Sequence, residues 1–186
     1  MRYQNRRDAG QRLGEILRNN HLRDPVVLAL PRGGVPVAFE VARALAAPLE
    51  IFVSRKIGAP RHSEFGIGAI AEGGVTVFDE GSVTALGLGP AELQQLAAAE
   101  GAELRRRVAA YRKGRPLPVL ADRDVVLVDD GLATGVTAAA ALRSLRGHRP
   151  RRLVLAVPVC AAQTRERMAS TADEVVCAMA PASFLS

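Results

Sequence analysis

Apolar residues along this chain fall into short dense runs separated by longer stretches with helical spacing. The runs Val26–Leu30, Leu49–Val53, Val125–Val128, Leu153–Val159 and Glu174–Ala178 read as strands, the densest of them buried on both faces. Between them, Ala9, Leu13, Ile16 and Leu17 share one face of a helix within residues 1–20, and a second helix is predicted from about Pro36 to Ala46. Gly89-Pro90 opens a long helix carrying Leu93, Leu96, Leu104, Val108 and Tyr111 on one side. An alanine-rich run from Thr137 through Leu142 and Leu145 predicts another, and Thr164–Ala169 a short one. Gly66–Ala71 and Val75–Asp79 read as a β-hairpin around Glu72-Gly73-Gly74. Strand and helix alternate, so the expected fold is α/β: a mainly parallel twisted sheet flanked by helices, Rossmann-like, with a small β-hairpin and lid insertion at 54–79.

Composition narrows the class. The 186 residues are expected to form one domain, 1–186, with 48% hydrophobic and 24% charged residues, an ordinary globular balance. No apolar run approaches the ~20 residues of a membrane span. Met1–Asp8 is polar and basic, so no secretory signal is read and a cytoplasmic location is expected. Cys160 and Cys177 lie in apolar strand-like segments and are expected as buried thiols. The net charge is +6, nearly all from arginine, which favours anionic partners, either nucleic acid or a diphosphate. Arg105, Arg106, Arg107, Arg112 and Lys113 crowd the end of the long helix, where solvated cations complement the helix dipole. The few aromatics are not interleaved with them, which argues against nucleic acid as a partner.

Candidate chemistry concentrates after the strand at Val125. Asp129 and Asp130 stand at its carboxyl end, followed by Gly131-Leu132-Ala133-Thr134-Gly135-Val136-Thr137 and the start of a helix. Unpaired N–H groups and partial positive charge at a helix amino terminus stabilise an anion. Gly131 and Gly135 allow a tight turn, and the hydroxyls of Thr134 and Thr137 add donors. The two carboxylates suit vicinal sugar hydroxyls or a hydrated divalent cation. Together these features describe a site for a phosphorylated sugar. A second corner, Pro31-Arg32-Gly33-Gly34, joins the first strand to the second helix and offers a guanidinium that can hold phosphate oxygens bidentately. Ser54–Glu64, with Arg55, Lys56 and Arg61, reads as an exposed basic loop.

The ordered series of strand, two acids, short loop and Thr-Gly-x-Thr resembles the phosphoribosyl diphosphate signature of type I phosphoribosyltransferases, and Leu132-Ala133-Thr134-Gly135 resembles the adenine-specific branch. The resemblance implies transfer of ribose 5-phosphate from phosphoribosyl diphosphate to a nitrogen acceptor, with release of diphosphate. Gly131–Thr137 would grip the 5-phosphate, and Asp129 and Asp130 the ribose hydroxyls around Mg²⁺, held through water. Arg32 with Gly33 and Gly34, plus Arg55, Lys56 or Arg61 from a flexible lid, would neutralise the diphosphate, and Glu64 is the candidate general base. A non-proline cis peptide is expected at Arg32-Gly33. Ala133 stands where hypoxanthine-guanine enzymes place an acid, which argues against a 6-oxopurine acceptor. Homodimers are common in that family. More narrowly the chain resembles a poorly characterised bacterial phosphoribosyltransferase-domain family whose members continue past Pro181-Ala182-Ser183-Phe184 into an aromatic and acidic tail. Two alternatives stand beside transfer: a non-catalytic regulator sensing phosphoribosyl diphosphate while binding nucleic acid or protein, and a domain that works with a partner or fused hydrolase.

Overall fold

The computed structural model of the chain describes residues 3–60 and 62–179. Arg61 and the ending Pro181-Ala182-Ser183-Phe184 lie outside the described residues. The chain runs through α1 (Arg6–Arg18), β1 (Val26–Ala29), α2 (Gly34–Leu45), β2 (Leu49–Ile51), β3 (Ser54–Ala59), β4 (His62–Ala71) and β5 (Thr76–Phe78). It continues through α3 (Glu80–Leu86), α4 (Pro90–Arg112), β6 (Asp124–Val128), α5 (Val136–Arg146), β7 (Arg152–Val159), α6 (Ala162–Met168) and β8 (Glu174–Met179).

Five strands form one parallel sheet in the order β2-β1-β6-β7-β8. The dense apolar runs are explained by cover on both faces. Val27, Ala29, Val126, Val128, Val154 and Ala156 pack against Leu13 and Leu17 of α1 and Val37 and Val41 of α2. Val26, Leu28, Val125, Leu127, Leu153 and Leu155 pack against Ala138, Ala141, Leu142 and Leu145 of α5. Each fully buried Val or Leu contributes about 1.5–3 kcal/mol of transfer free energy. Two glycines set the depth of α1: a Cβ on Gly10 would lie 2.7 Å from the Val37 carbonyl oxygen, and one on Gly14 2.6 Å from Ala44 Cβ. The close approach fixes where the first turn of α1 ends up, which matters for the site.

The expected hairpin is present: β4 and β5 pair antiparallel around Gly73 and Gly74. The expected exposed loop at 54–64 is corrected, because β3 pairs with β4 and the insertion is a three-stranded antiparallel sheet. Ile57 and Ala59 alternate inward with Ile67, Ile70 and Leu104 of α4, and that helix supplies the cover that makes a basic segment a strand. Helix α3 was not expected; its signal was Asp79, whose side chain accepts from the Ser82 N–H as an N-cap.

Two further expectations are corrected. Cys160 and Cys177 are joined as a disulfide, because β7 and β8 are neighbours and Cys160, directly after β7, stays against β8 by donating its N–H to the Met179 carbonyl, with the two Cα atoms 6.1 Å apart. Arg112 is buried, not solvated, and donates to Glu72 and to the Ile51 carbonyl, tying the end of α4 to the β4–β5 turn and β2. Among the described residues, no helix is long and apolar enough to cross a membrane.

Candidate functional site

Parallel pairing of β1 with β6 sets Ala29 opposite Val128, so the two loops that follow these strands emerge side by side at one end of the sheet. The Leu30 N–H donates to the Val128 carbonyl at 2.9 Å, holding the β1–α2 turn against the acid pair. Contact is then closer than any side chain permits. A Cβ on Gly33 would stand 2.1 Å from Asp130 Oδ2, and one on Gly34 would stand 2.8 Å from the Val128 carbonyl oxygen and 3.0 Å from Asp129 Cα. Gly33, Gly34, Asp129 and Asp130 are therefore brought together, with Arg32 exposed beside them. The cis bond in this turn is Pro31-Arg32, one bond before the expected Arg32-Gly33, and Gly33 caps α2 with φ −62° and ψ −36°.

Asp129 Oδ1 accepts from the Asp130 N–H at 2.8 Å. Loss of water at the end of the sheet pushes the Asp129 carboxyl up to about 7; that N–H opposes the shift and the adjacent Asp130 charge adds to it. Asp130 is answered from an unexpected quarter. Arg6, in the first turn of α1, donates from Nε to Asp130 Oδ2 at 2.8 Å. The Tyr3 hydroxyl donates to the Pro158 carbonyl at 3.2 Å, so the amino-terminal segment crosses the carboxyl ends of β6 and β7. Sequence reasoning took this helix as packing only. Its signal, an arginine off the apolar face, does not say which strand end that face will meet.

The loop 131–137 is held from outside by its carbonyls. Thr164 Oγ1 donates to the Ala133 carbonyl at 2.6 Å, Arg167 to that of Thr134 at 2.6 Å, and Ser54 Oγ to that of Thr137 at 3.0 Å. Among the described residues the N–H groups of Ala133, Thr134 and Gly135 have no backbone partner, which leaves them free to donate. Gly135 takes φ +69° directly before α5, a conformation that favours glycine. Leu132 differs from the expectation that it meets a ligand: its side chain is buried, its N–H donates to Val159 and its carbonyl accepts from Ala161. It anchors the loop beside Cys160 rather than lining a site.

Of the expected lid residues, Arg55 and Lys56 are not brought to the acid pair. Arg55 pairs with Glu100 of α4 at 2.6 Å and lies 3.8 Å from Glu103. Lys56 Nζ donates to the Glu64 carbonyl at 2.8 Å, and Glu64 itself is exposed. Arg55 and Lys56 line a separate cleft against α4.

Among the described residues no group of three or more His, Cys, Asp or Glu side chains converges on one point. Two adjacent carboxylates fit a hydrated Mg²⁺ that arrives with substrate phosphates, since that ion keeps most of its water and takes one or two carboxylates. They do not fit a metal held by protein alone.

The family model of the phosphoribosyl transferase domain matches residues 3–182. A Mycobacterium tuberculosis (strain H37Rv) protein, named provisionally as a phosphoribosyl transferase, is 44% identical over 184 residues; the match covers 99% of this chain and 42% of that protein. The chain thus spans less than half the length of the curated relatives it matches. Among solved structures, TT1426 from Thermus thermophilus is 44% identical with a TM-score of 0.83, covering 100% of this chain and 88% of that one. A purine phosphoribosyltransferase from Pyrococcus horikoshii, 17% identical at a TM-score of 0.51 with 92% and 81% covered, shares the fold. The five-stranded parallel sheet, the acid pair and the free amides of the loop thus belong to a member of the phosphoribosyl transferase domain family.

Proposed function

We propose that the chain binds phosphoribosyl diphosphate with Mg²⁺ and transfers its ribose 5-phosphate to a nitrogen acceptor, with diphosphate released. The observation that carries this reading is the fit of Gly33 against Asp130, where a Cβ would stand 2.1 Å from the carboxylate. Because no side chain separates them, the β1–α2 turn lies directly against the acid pair, and the loop at 131–137 follows that pair in the chain.

On this reading the free amides of Ala133, Thr134 and Gly135, with the Thr134 and Thr137 hydroxyls, hold the 5-phosphate at the start of α5. Asp129 and Asp130 accept from the ribose hydroxyls and hold Mg²⁺ through water. Arg32 and the Gly33 and Gly34 amides face the diphosphate. The bond from the sugar's anomeric carbon to diphosphate breaks as the bond to the acceptor nitrogen forms, and the electron pair leaves with the diphosphate. Magnesium would supply charge neutralisation for that leaving group. The chain's own residues position the donor and stabilise the developing charge. Arg55, Lys56 and Arg61 would join through movement of the β3–β4 ribbon, and Glu64 is the candidate base. The same reading takes residues 1–186 as one domain acting on small molecules in the cytoplasm as a homodimer.

Calorimetric titration of phosphoribosyl diphosphate with Mg²⁺ into the parent and into an Asp129→Asn, Asp130→Asn variant tests it. Binding by the parent and none by the variant is expected. Equal binding by both would remove the acid pair from the site, and no binding by the parent would end the reading.

A further inference from the structure

A cleft of about 700 Å³ lies outside the acid pair, between α5 and α6 on one side and β4, β5 and α3 on the other. None of Arg32, Gly33, Gly34, Asp129 or Asp130 lines it. Its walls join two kinds of group. Phe65 is 51% exposed and Phe78 half-buried, and both contribute to the wall formed by the ribbon. Arg143 of α5 and Arg167 of α6 supply guanidinium groups. Arg143 is exposed and takes part in no ion pair among the described residues.

The cleft holds two cations to one acid among the described residues. That acid is Asp79, whose Oδ2 accepts from the hydroxyl and N–H of Ser82 and which those bonds, with a smaller contribution from the Arg167 charge, hold below the usual carboxylate range. Arg167 uses a single donor, to the Thr134 carbonyl, out of the five a guanidinium carries. Aromatic faces beside unpaired guanidinium groups suit a flat ring that bears a phosphate, and the volume falls within the ~300–1,000 Å³ usual for small-molecule sites. We propose that this cleft binds a nucleotide, its ring against Phe65 and Phe78 and its phosphate between Arg143 and Arg167.

The cleft also shares a wall with the phosphate loop, since Ala133, Thr134, Gly135 and Val136 form its rim. Arg167 and Thr164 hold that loop by its carbonyls. A phosphate that draws Arg167 toward the cleft releases the Thr134 carbonyl, so occupancy here alters the loop's grip on an anion. The coupling is reciprocal by linkage and rests on the function proposed above, whereas binding in the cleft does not.

The test is calorimetric titration of AMP, GMP, CMP and UMP into the protein, free and saturated with phosphoribosyl diphosphate and Mg²⁺. At least one nucleotide is expected to bind in both states, and adenosine to bind at least about tenfold more weakly than AMP if AMP is that nucleotide. Arg143→Gln and Phe65→Ser are each expected to weaken binding about tenfold or more, while Asp130→Asn leaves it unchanged. Both altered side chains are exposed; should Phe65→Ser fail to fold, Arg143→Gln decides alone. Absence of binding by all four nucleotides, indifference to Arg143→Gln, or loss of binding on saturation with the donor overturns the proposal. If the donor itself does not bind, the coupling falls, and the Arg143→Gln comparison still decides the cleft.

Discussion

The Arg6 guanidinium meets the Asp130 carboxylate at 2.7 Å, joining the first turn of α1 to the end of β6 across a separation of 124 residues. Arg6 is 61% exposed and Asp130 30%, so the pair contributes less than about 1 kcal/mol to folding. Its weight falls on binding, because lone pairs given to Arg6 are withheld from ribose hydroxyls. Arg6→Gln is expected to shift the melting temperature by less than about 4 °C. It should tighten Mg²⁺-dependent binding of phosphoribosyl diphosphate by up to about fivefold in a calorimetric titration. Weaker binding would mean that the guanidinium serves the ligand instead of competing with it.

Gly33 and Gly34 are adjacent yet should fail differently. A Cβ on Gly33 meets the end of the Asp130 side chain, which can rotate away, so Gly33→Ala is expected to keep its stability and lose about tenfold or more in donor affinity. A Cβ on Gly34 meets the backbone at Val128 and Asp129, which cannot yield cheaply. Gly34→Ala is expected to cost about 1–3 kcal/mol by thermal or denaturant unfolding. Equal stability loss in the two variants would contradict this division.

Asp129 gives the site a pH dependence of known sign. A carboxyl raised from 3.8 to about 7 on folding keeps its proton longer in the folded chain. Its contribution to stability is complete below the unfolded value and is lost as pH rises toward 7. Binding runs the other way, since sugar hydroxyls and a hydrated cation require the carboxylate. Donor affinity is therefore expected to rise with pH up to about 7, with protons released on binding near pH 6. Calorimetry in buffers of different ionisation enthalpy measures that release, and none at that pH would refute the assignment.

The Cys160–Cys177 disulfide joins β8 to the residue that follows β7, and Cys160 forms a bridge with Leu132, the anchor of the loop at 131–137. Thiol titration of the unreduced protein under denaturing conditions should find no free thiol, and two after reduction. Replacing both cysteines by alanine is expected to cost about 2–4 kcal/mol, the usual worth of such a cross-link. Two reactive thiols before reduction would overturn the pairing.

Buried Arg112 is matched by Glu72, whose Oε1 also accepts from the Val53 N–H at 2.6 Å. Glu72→Gln leaves a guanidinium without its charge partner and is expected to destabilise the protein by about 3–5 kcal/mol. A change below about 1 kcal/mol in denaturant unfolding would show that water reaches the pair.

Much of this architecture is legible in one dimension because its causes are local. Strands covered on both faces must be apolar along their length, so Val26–Ala29 and Val125–Val128 stand out; helices declare themselves by spacing and caps. The acid pair, Gly131–Thr137 and the Arg32-Gly33-Gly34 turn were legible for the same reason, since a loop that leaves amides free before a helix needs small residues in a fixed order. Three things depended on which distant segment arrives as neighbour. Arg55 reads as a free lid cation until α4 brings Glu100 against it. Cys177 reads as a lone buried thiol until the chain leaving β7 brings Cys160 back against β8. Arg6 lies off the apolar face of its helix, and only the packing of Gly10 and Gly14 on α2 lowers α1 onto the sheet and carries it to Asp130. The sequence alone determined the five strands of the parallel sheet, the longer helices and the small-residue loop at 131–137, because their patterns are set by local backbone geometry. Tertiary structure alone decided the partners of the charged and sulfur-bearing side chains, because contact between residues far apart in the chain depends on packing depth and strand register.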